Sequence, residues 1–549
     1  MTVAAYFVKL LENEGIEYIF GIPGEENIDF IEALKDSSIK LILTRHEQAA
    51  GFMAATFGRL TGKPGVCLAT LGPGATNLIT AAAYAQLGGM PMLMITGQKP
   101  IKDRYQGLFQ LLDIVDIMRP VTKFTKQIID GNNLPVTVKN VFRIARDERP
   151  GCVHLELPED IAQEEIEGNF VLTENYLRRP YASPVVIEMA KQMIEEAKSP
   201  MIVIGSGANR KRTSKALTDF ILSTKIPFAT TQMGKGVIDE RSEYYLGCAA
   251  LSDNDFLHCA LSRADLIINI GHDTIEKPPF MMSKEGDQKV IHINFFPAEL
   301  DEVYFPQLEV IGDIAHSIQE LSEIIEVQRH WDFSYYQRIK VEIDNNTTCL
   351  MEDRKFPMYP QHIVQIVRNV LPSDGIVCLD NGMYKIWFAR NYKCHYPNTL
   401  LLDNALATMG AGLSSAIATK MLYPQRSVIC VCGDGGFMMN SQELETASRL
   451  KINLVIIVLR DNAFGMIKWK QEARGFQTHD LDYTNPDLVE YANSYDNITG
   501  HRPETVQGFE RLLKKTLKSK GVHLIDLVVD YSKNHEYLDI LLKNKTCIL

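Results

Sequence analysis

No run in this sequence stays apolar for the roughly 18 to 20 residues that crossing a bilayer requires, and no block of like charge interrupts it. The first absence argues against a membrane span. The second, with a formal net charge of −11 spread along 549 residues, argues against a nucleic-acid surface or a polybasic membrane patch. A small-molecule partner is therefore the expectation. The start, MTVAAYFVKLLENEGIEYIFGIPG, lacks the basic head, long apolar centre and small-residue cleavage site of a signal peptide, so a cytoplasmic protein is expected. None of the ten cysteines forms a CxxC pair. Cys430 and Cys432 alternate within an apolar strand, so the cysteines read as buried thiols in a reducing compartment, not as a disulfide or metal framework.

With 46% hydrophobic residues, the chain can bury several cores of ordinary size. Short apolar segments such as YIFGI, LILTR and GVCLAT alternate with helical patterns such as QAAGFMAATFGRLTG. Strands apolar throughout, alternating with helices, predict α/β domains with parallel sheets covered on both faces. Three doubly wound blocks are expected: 1–165, 184–327 and 361–535. Residues 328–360 read as a connector, and 536–549 as a peripheral tail. The turn Gly205-Ser206-Gly207 in the second block reads more readily as tight strand–helix packing than as a nucleotide site. The units VCLATLGPGATN and VICVCGDGGFMMN share a strand, glycine turn and helix pattern, which hints at a duplication between the first and third blocks.

Two acids in the third block draw attention. SVICVC and LVIIVLR are apolar strands joined by a helical segment, so a right-handed crossover makes them parallel. Asp434 follows one and Asp461 the other, so two carboxylates converge on the sheet edge where α/β proteins bind ligands. Like charges in one crevice call for a cation, and oxygen ligands favour a hard divalent ion such as Mg²⁺, which commonly retains phosphate oxygens in its shell. The glycines Gly433, Gly435, Gly436 and Gly465 could let backbone amides cradle a diphosphate. The alternative is a helix cap at Asp434 and an ordinary turn at Asp461.

The stretch GDGGFMMNSQELETASRLKINLVIIVLRDN resembles the thiamine diphosphate binding motif, with Asp461 where that motif most often has asparagine. The resemblance implies Asp434, Asp461 and the carbonyl of Ala463 as Mg²⁺ ligands. It implies that Gly433, Gly435, Gly436, Gly465 and Met466 line the diphosphate, with Asn381, Gly382, Met383 and Tyr384 of DNGMYKIW on its other side. Met409, in LATMGAGL, takes the place of the large apolar residue that holds the cofactor bent. In the first block, RHEQAA and LGPGATN resemble the pyrimidine-binding half of these enzymes. Glu47 would then bond the aminopyrimidine ring and promote loss of the thiazolium C2 proton, with Pro73 and Asn77 also binding the cofactor. Acid–base work of this kind favours a carboxyl group in a closed, apolar setting, which AAGFMAATF would provide. Because Glu47 and the GDG motif lie in different blocks, the family implies a homo-oligomer, at least a dimer, with its active site between subunits.

Among relatives, FGIPGEENIDFIEAL and PMLMITGQKP are most similar to the acetolactate synthase large subunit. That resemblance implies decarboxylation of pyruvate and condensation with a second 2-oxo acid, pyruvate, to give 2-acetolactate. Phe109 and Gln110 match a segment near the substrate, which implies a catalytic role for Gln110 beside Glu47. The sequence HDTIEKPPF resembles the flavin-independent catabolic type, so FAD is not expected, and Lys470 stands where the biosynthetic type has a tryptophan that favours 2-oxobutyrate. The rivals are another thiamine diphosphate-dependent 2-oxo acid decarboxylase, a pyruvate oxidase, and a catalytically silent regulatory homologue. No His-His dipeptide of the kind usual in pyruvate-type decarboxylases occurs.

Overall fold

The computed structural model describes residues 1–102, 107–167, 179–209, 211–251, 255–273, 275–276, 279–282, 288–348, 354–543 and 547. The β-branched, apolar segments become three six-stranded sheets. Every ladder in them is parallel. Alternate side chains of one strand enter different cores. Cys430 and Cys432 face one apolar cluster while Ile429 and Val431 face another, which is why these strands carry no polar alternation. The expected α/β architecture of three doubly wound sheets is present.

The first sheet runs Lys40–Leu43, Tyr18–Gly21, Gly65–Ala69, Met92–Gln98, Cys152–Pro158, Phe124–Gln127. The third runs Leu400–Leu401, Ile376–Leu379, Val428–Gly433, Leu454–Arg460, Val522–Val528, Ile498–His501. Counted along the chain, both have the order 2-1-3-4-6-5, the repeat at which the shared sequence pattern hinted. The middle sheet has the order 3-2-1-4-5-6, with its switch point between Pro200–Ile204 and Leu266–Ile270. There the Gly207 N–H donates to the Gly271 carbonyl at 2.8 Å, and a Cβ on Gly205 would sit 2.5 Å from that oxygen. The glycine turn thus serves close packing.

The first and third domains share one continuous apolar cluster. At its centre helix Glu47–Thr61, rich in alanine, lies against Ala411–Leu422, and Thr56 Oγ1 donates to Ser415 Oγ at 3.0 Å.

Three expectations change. The connector carries a helix, Ser334–Thr348, whose Tyr336, Ile339 and Ile343 join a core of the middle domain. The tail is tied to the body, with Trp469 Nε1 donating to Asp539 at 2.9 Å. Cys259 and Cys547 form a disulfide, so the all-thiol reading fails for that pair, whose 288-residue separation left no local signal. Among the described residues seven other cysteines are free and buried. Among the described residues no helix is long and apolar enough to cross a membrane.

Candidate active site

Val428–Gly433 and Leu454–Arg460 are adjacent parallel strands with Gly433 opposite Leu459. Asp434 and Asp461 accordingly emerge at the same sheet edge, and both line one cavity of about 290 Å³. Asp434 is 1% exposed. Its Oδ1 accepts from the Gly435 N–H and the Tyr483 hydroxyl, both at 2.9 Å. Its Oδ2 accepts from the Asn462 N–H at 2.8 Å and from Asn485 Nδ2 at 2.9 Å. Tyr483 also donates to the Ala463 carbonyl at 3.2 Å. The hydroxyl therefore joins two of the oxygens expected to hold a cation. Burial, and then the charge of Asp434, push the Asp461 carboxyl up to about 7, a repulsion that a divalent ion would relieve.

Further features bear on what this cavity could hold. Asn381 is buried and donates one Nδ2 hydrogen to the Thr408 carbonyl at 2.7 Å, while its Oδ1, without a partner among the described residues, is an acceptor suited to a donor or a cation. Two carboxylates and a carbonyl form an all-oxygen donor set suited to Mg²⁺. At Gly465 a Cβ would come within 2.5 Å of Asp461 Oδ2, so only glycine leaves that carboxylate its place. Gly465→Ala is expected to displace Asp461 and weaken cation-dependent thiamine diphosphate binding at least about tenfold, read by calorimetry. Unchanged binding would show that Asp461 is not needed where it stands.

The cavity brings together most residues singled out in the third domain: Asn381, Gly382, Met383, Tyr384, Met409, Gly433, Gly435, Gly436, Ala463, Gly465 and Met466. It does not include Lys470, which is exposed with its ammonium 4.2 Å from the Trp469 ring centre. Residues from the first domain do not line it either. Glu47 opens its helix, half-buried, and its Oε2 accepts from Asn77 Nδ2 at 3.0 Å. The apolar run behind it is buried as expected, although Glu47 itself stays partly open in the single chain. Pro73 and Asn77 are exposed. Phe109 is 68% exposed, and Gln110, at φ 56°, lies beside Gly72.

Sequence reasoning missed Tyr483, Asn485, Tyr531 and Asp380. Asp380 is buried, accepts the Gly410 N–H on both oxygens at 3.0 Å and the Asn381 N–H at 2.6 Å, and is pushed up to about 6 by burial. It thereby joins the loop after Met409 to the loop at Asn381. An aspartate directly before Asn381-Gly382, at a strand end, was the available signal.

Residues 1–117 match the family described as Thiamine pyrophosphate enzyme, N-terminal TPP binding domain. Residues 187–321 match the central domain of the same enzymes, and 380–527 their C-terminal TPP binding domain. The acetolactate synthase of Bacillus subtilis (strain 168) is 32% identical over 547 residues, covering 97% of this chain and 94% of that protein. The catabolic acetolactate synthase of Raoultella terrigena is 32% identical over 540 residues, covering 97% and 95%. The acetolactate synthase isozyme 2 large subunit of Escherichia coli (strain K12) is 30% identical over 541 residues, covering 97% and 96%. Three matching domains in order, and relatives aligned over nearly their whole length, place the cavity in a familiar setting: the chain belongs to the acetolactate synthase large-subunit family of thiamine diphosphate enzymes.

Proposed function

We propose that this protein is an acetolactate synthase of the flavin-independent, pyruvate-using kind. The observation that carries the cofactor part of the reading is the pairing of Asp434 and Asp461 at one sheet edge, in a glycine-walled cavity. Asp434, Asp461 and the Ala463 carbonyl would hold Mg²⁺, and the glycine edges, Asn381 and Tyr384 would hold the diphosphate. Met409 would support the bent cofactor. Bound there, thiamine diphosphate would supply the carbon nucleophile that adds to the keto group of pyruvate and accommodates charge as carbon dioxide leaves. Glu47 would bond the pyrimidine and relay the proton whose loss activates C2.

Glu47, Pro73, Asn77, Phe109 and Gln110 do not line the cavity of their own chain. In the proposed assembly those of a second copy close it, and the working unit is at least a homodimer. Exposed Phe464 and Ile467 at the cavity, and exposed Leu108 and Phe109 of the first domain, are apolar surface that such an assembly would cover. Phe109 and Gln110 would meet the substrate, and Lys470 in place of tryptophan is consistent with pyruvate as second substrate.

Incubation with pyruvate, thiamine diphosphate and Mg²⁺, with and without FAD, is expected to yield 2-acetolactate equally in both arms. Acetaldehyde would indicate a simple decarboxylase, and FAD-dependent acetyl phosphate or acetate an oxidase; either would replace this reading.

A further inference from the structure

We propose that Glu443 is a positioning residue for Glu47, its carboxylate fixing the backbone that leads into helix Glu47–Thr61. The inference rests on Glu47 being the pyrimidine-side acid. Glu443 opens helix Glu443–Arg449 of the third domain and is fully buried. Its Oε1 accepts the Arg45 N–H of the first domain at 2.9 Å, and its Oε2 accepts the Thr446 hydroxyl at 2.7 Å. Burial pushes the Glu443 carboxyl above its ordinary range, and the Thr446 hydroxyl and Arg45 N–H oppose that shift. The clamp continues on the other side of Glu47. Buried Asn440 donates through Nδ2 to Gln48 Oε1 at 3.0 Å and to the Gly410 carbonyl, next to Met409, at 2.9 Å. Arg449 donates to the Leu43 carbonyl at 2.6 Å. Residues 43, 45 and 48 are thus held by the third domain, while among the described residues the Glu47 side chain bonds within its own domain, to Asn77.

Holding two domains together does not need a buried carboxylate. The alanine-rich helix contact and the shared apolar cluster already do so, and burying a carboxylate costs free energy that an apolar side chain would avoid. What the carboxylate supplies is an all-acceptor group at a point where a backbone N–H of the first domain and a hydroxyl converge. That arrangement fixes the peptide groups immediately before Glu47. A misplacement of about 1 Å at a proton-transferring group can cost about a hundredfold.

Glu443→Gln keeps the volume but removes the charge and one of the two acceptor oxygens that receive the Arg45 N–H and the Thr446 hydroxyl. In the cofactor-free protein, amide deuterium exchange over residues 43–48 is expected to quicken at least about tenfold. In the holoenzyme, proton exchange at thiazolium C2 should slow about 10- to 100-fold, while thiamine diphosphate affinity by calorimetry changes less than about threefold. Thr56→Val removes a different tie between the same domains, to Ser415, and should leave C2 exchange unaltered. In a Glu47→Gln background, Glu443→Gln should add no further loss. Gln48→Ala, which cuts the Asn440 tie without touching the core, should act in the same direction by several-fold and serves if Glu443→Gln does not fold. Multiplying losses in the double variant, or equal slowing by Thr56→Val, would overturn the proposal in favour of a structural tie. C2 exchange that is normal in Glu443→Gln despite faster amides would do the same. An unaltered rate in Glu47→Gln alone would instead overturn the role of Glu47, and with it the purpose of the clamp.

Discussion

Asp434→Ala is expected to weaken Mg²⁺-dependent retention of thiamine diphosphate by more than about 100-fold, with activity at ordinary cofactor concentrations lost in proportion. The carboxylate is almost wholly buried and collects four hydrogen bonds, from Gly435, Tyr483, Asn462 and Asn485. Alanine removes the proposed ligand and also leaves those donors unpaired, at about 1 to 3 kcal/mol for each that water cannot reach. A lower melting temperature alone would therefore not implicate a cation. The discriminating measurement is calorimetric titration of thiamine diphosphate into folded protein at high and low Mg²⁺. Wild type should bind far more tightly with Mg²⁺, and the variant should be nearly indifferent to it. Asp434→Asn, which preserves volume, should show the same indifference with a smaller loss of stability. Unchanged affinity in both variants would remove the metal site from the proposal.

Glu47→Gln should reduce acetolactate formation by about 10²- to 10⁴-fold, the usual range for removing a general acid–base group. Its fold should survive, because Glu47 is half-buried and its one hydrogen bond from a neighbouring side chain, that of Asn77, can also be accepted by a glutamine oxygen. Cofactor binding should change little, since the proposed diphosphate and metal contacts lie in the third domain. The expected signature is thus a fall in kcat with near-normal thiamine diphosphate affinity, the reverse of the Asp434 result. A variant that makes acetolactate at the wild-type rate would end the assignment of Glu47.

The alternation of apolar strands with helices made the architecture legible, because a strand buried on both faces must be apolar along its whole length, as VICVC is. The convergence of Asp434 and Asp461 was legible for the same reason, since parallel neighbours joined by a helix must end on one edge. Tyr483 and Asn485 were not. They reach Asp434 from 49 and 51 residues away through an irregular loop, and loop geometry leaves no periodicity in sequence. Asp380 escaped notice because its partners are backbone N–H groups, which every residue has. Lys470 shows the limit of motif alignment: matching a position did not predict that its ammonium would lie over the neighbouring Trp469 ring. The Cys259–Cys547 bond was hidden by distance along the chain.

The apolar cluster common to the first and third domains bears on how the chain is made. Thr56 and Ser415 meet across 359 residues, and the alanine face of Glu47–Thr61 is covered by Ala411–Leu422. During synthesis the N-terminal sheet therefore emerges with one side of its core unfinished. It must wait until most of the remaining chain has left the ribosome. The middle domain, whose sheet is drawn from one contiguous stretch of sequence, can close in the interval. The nascent chain thus carries a sticky half-core through most of its translation, a burden that the order of its domains, not the chemistry of its site, imposes.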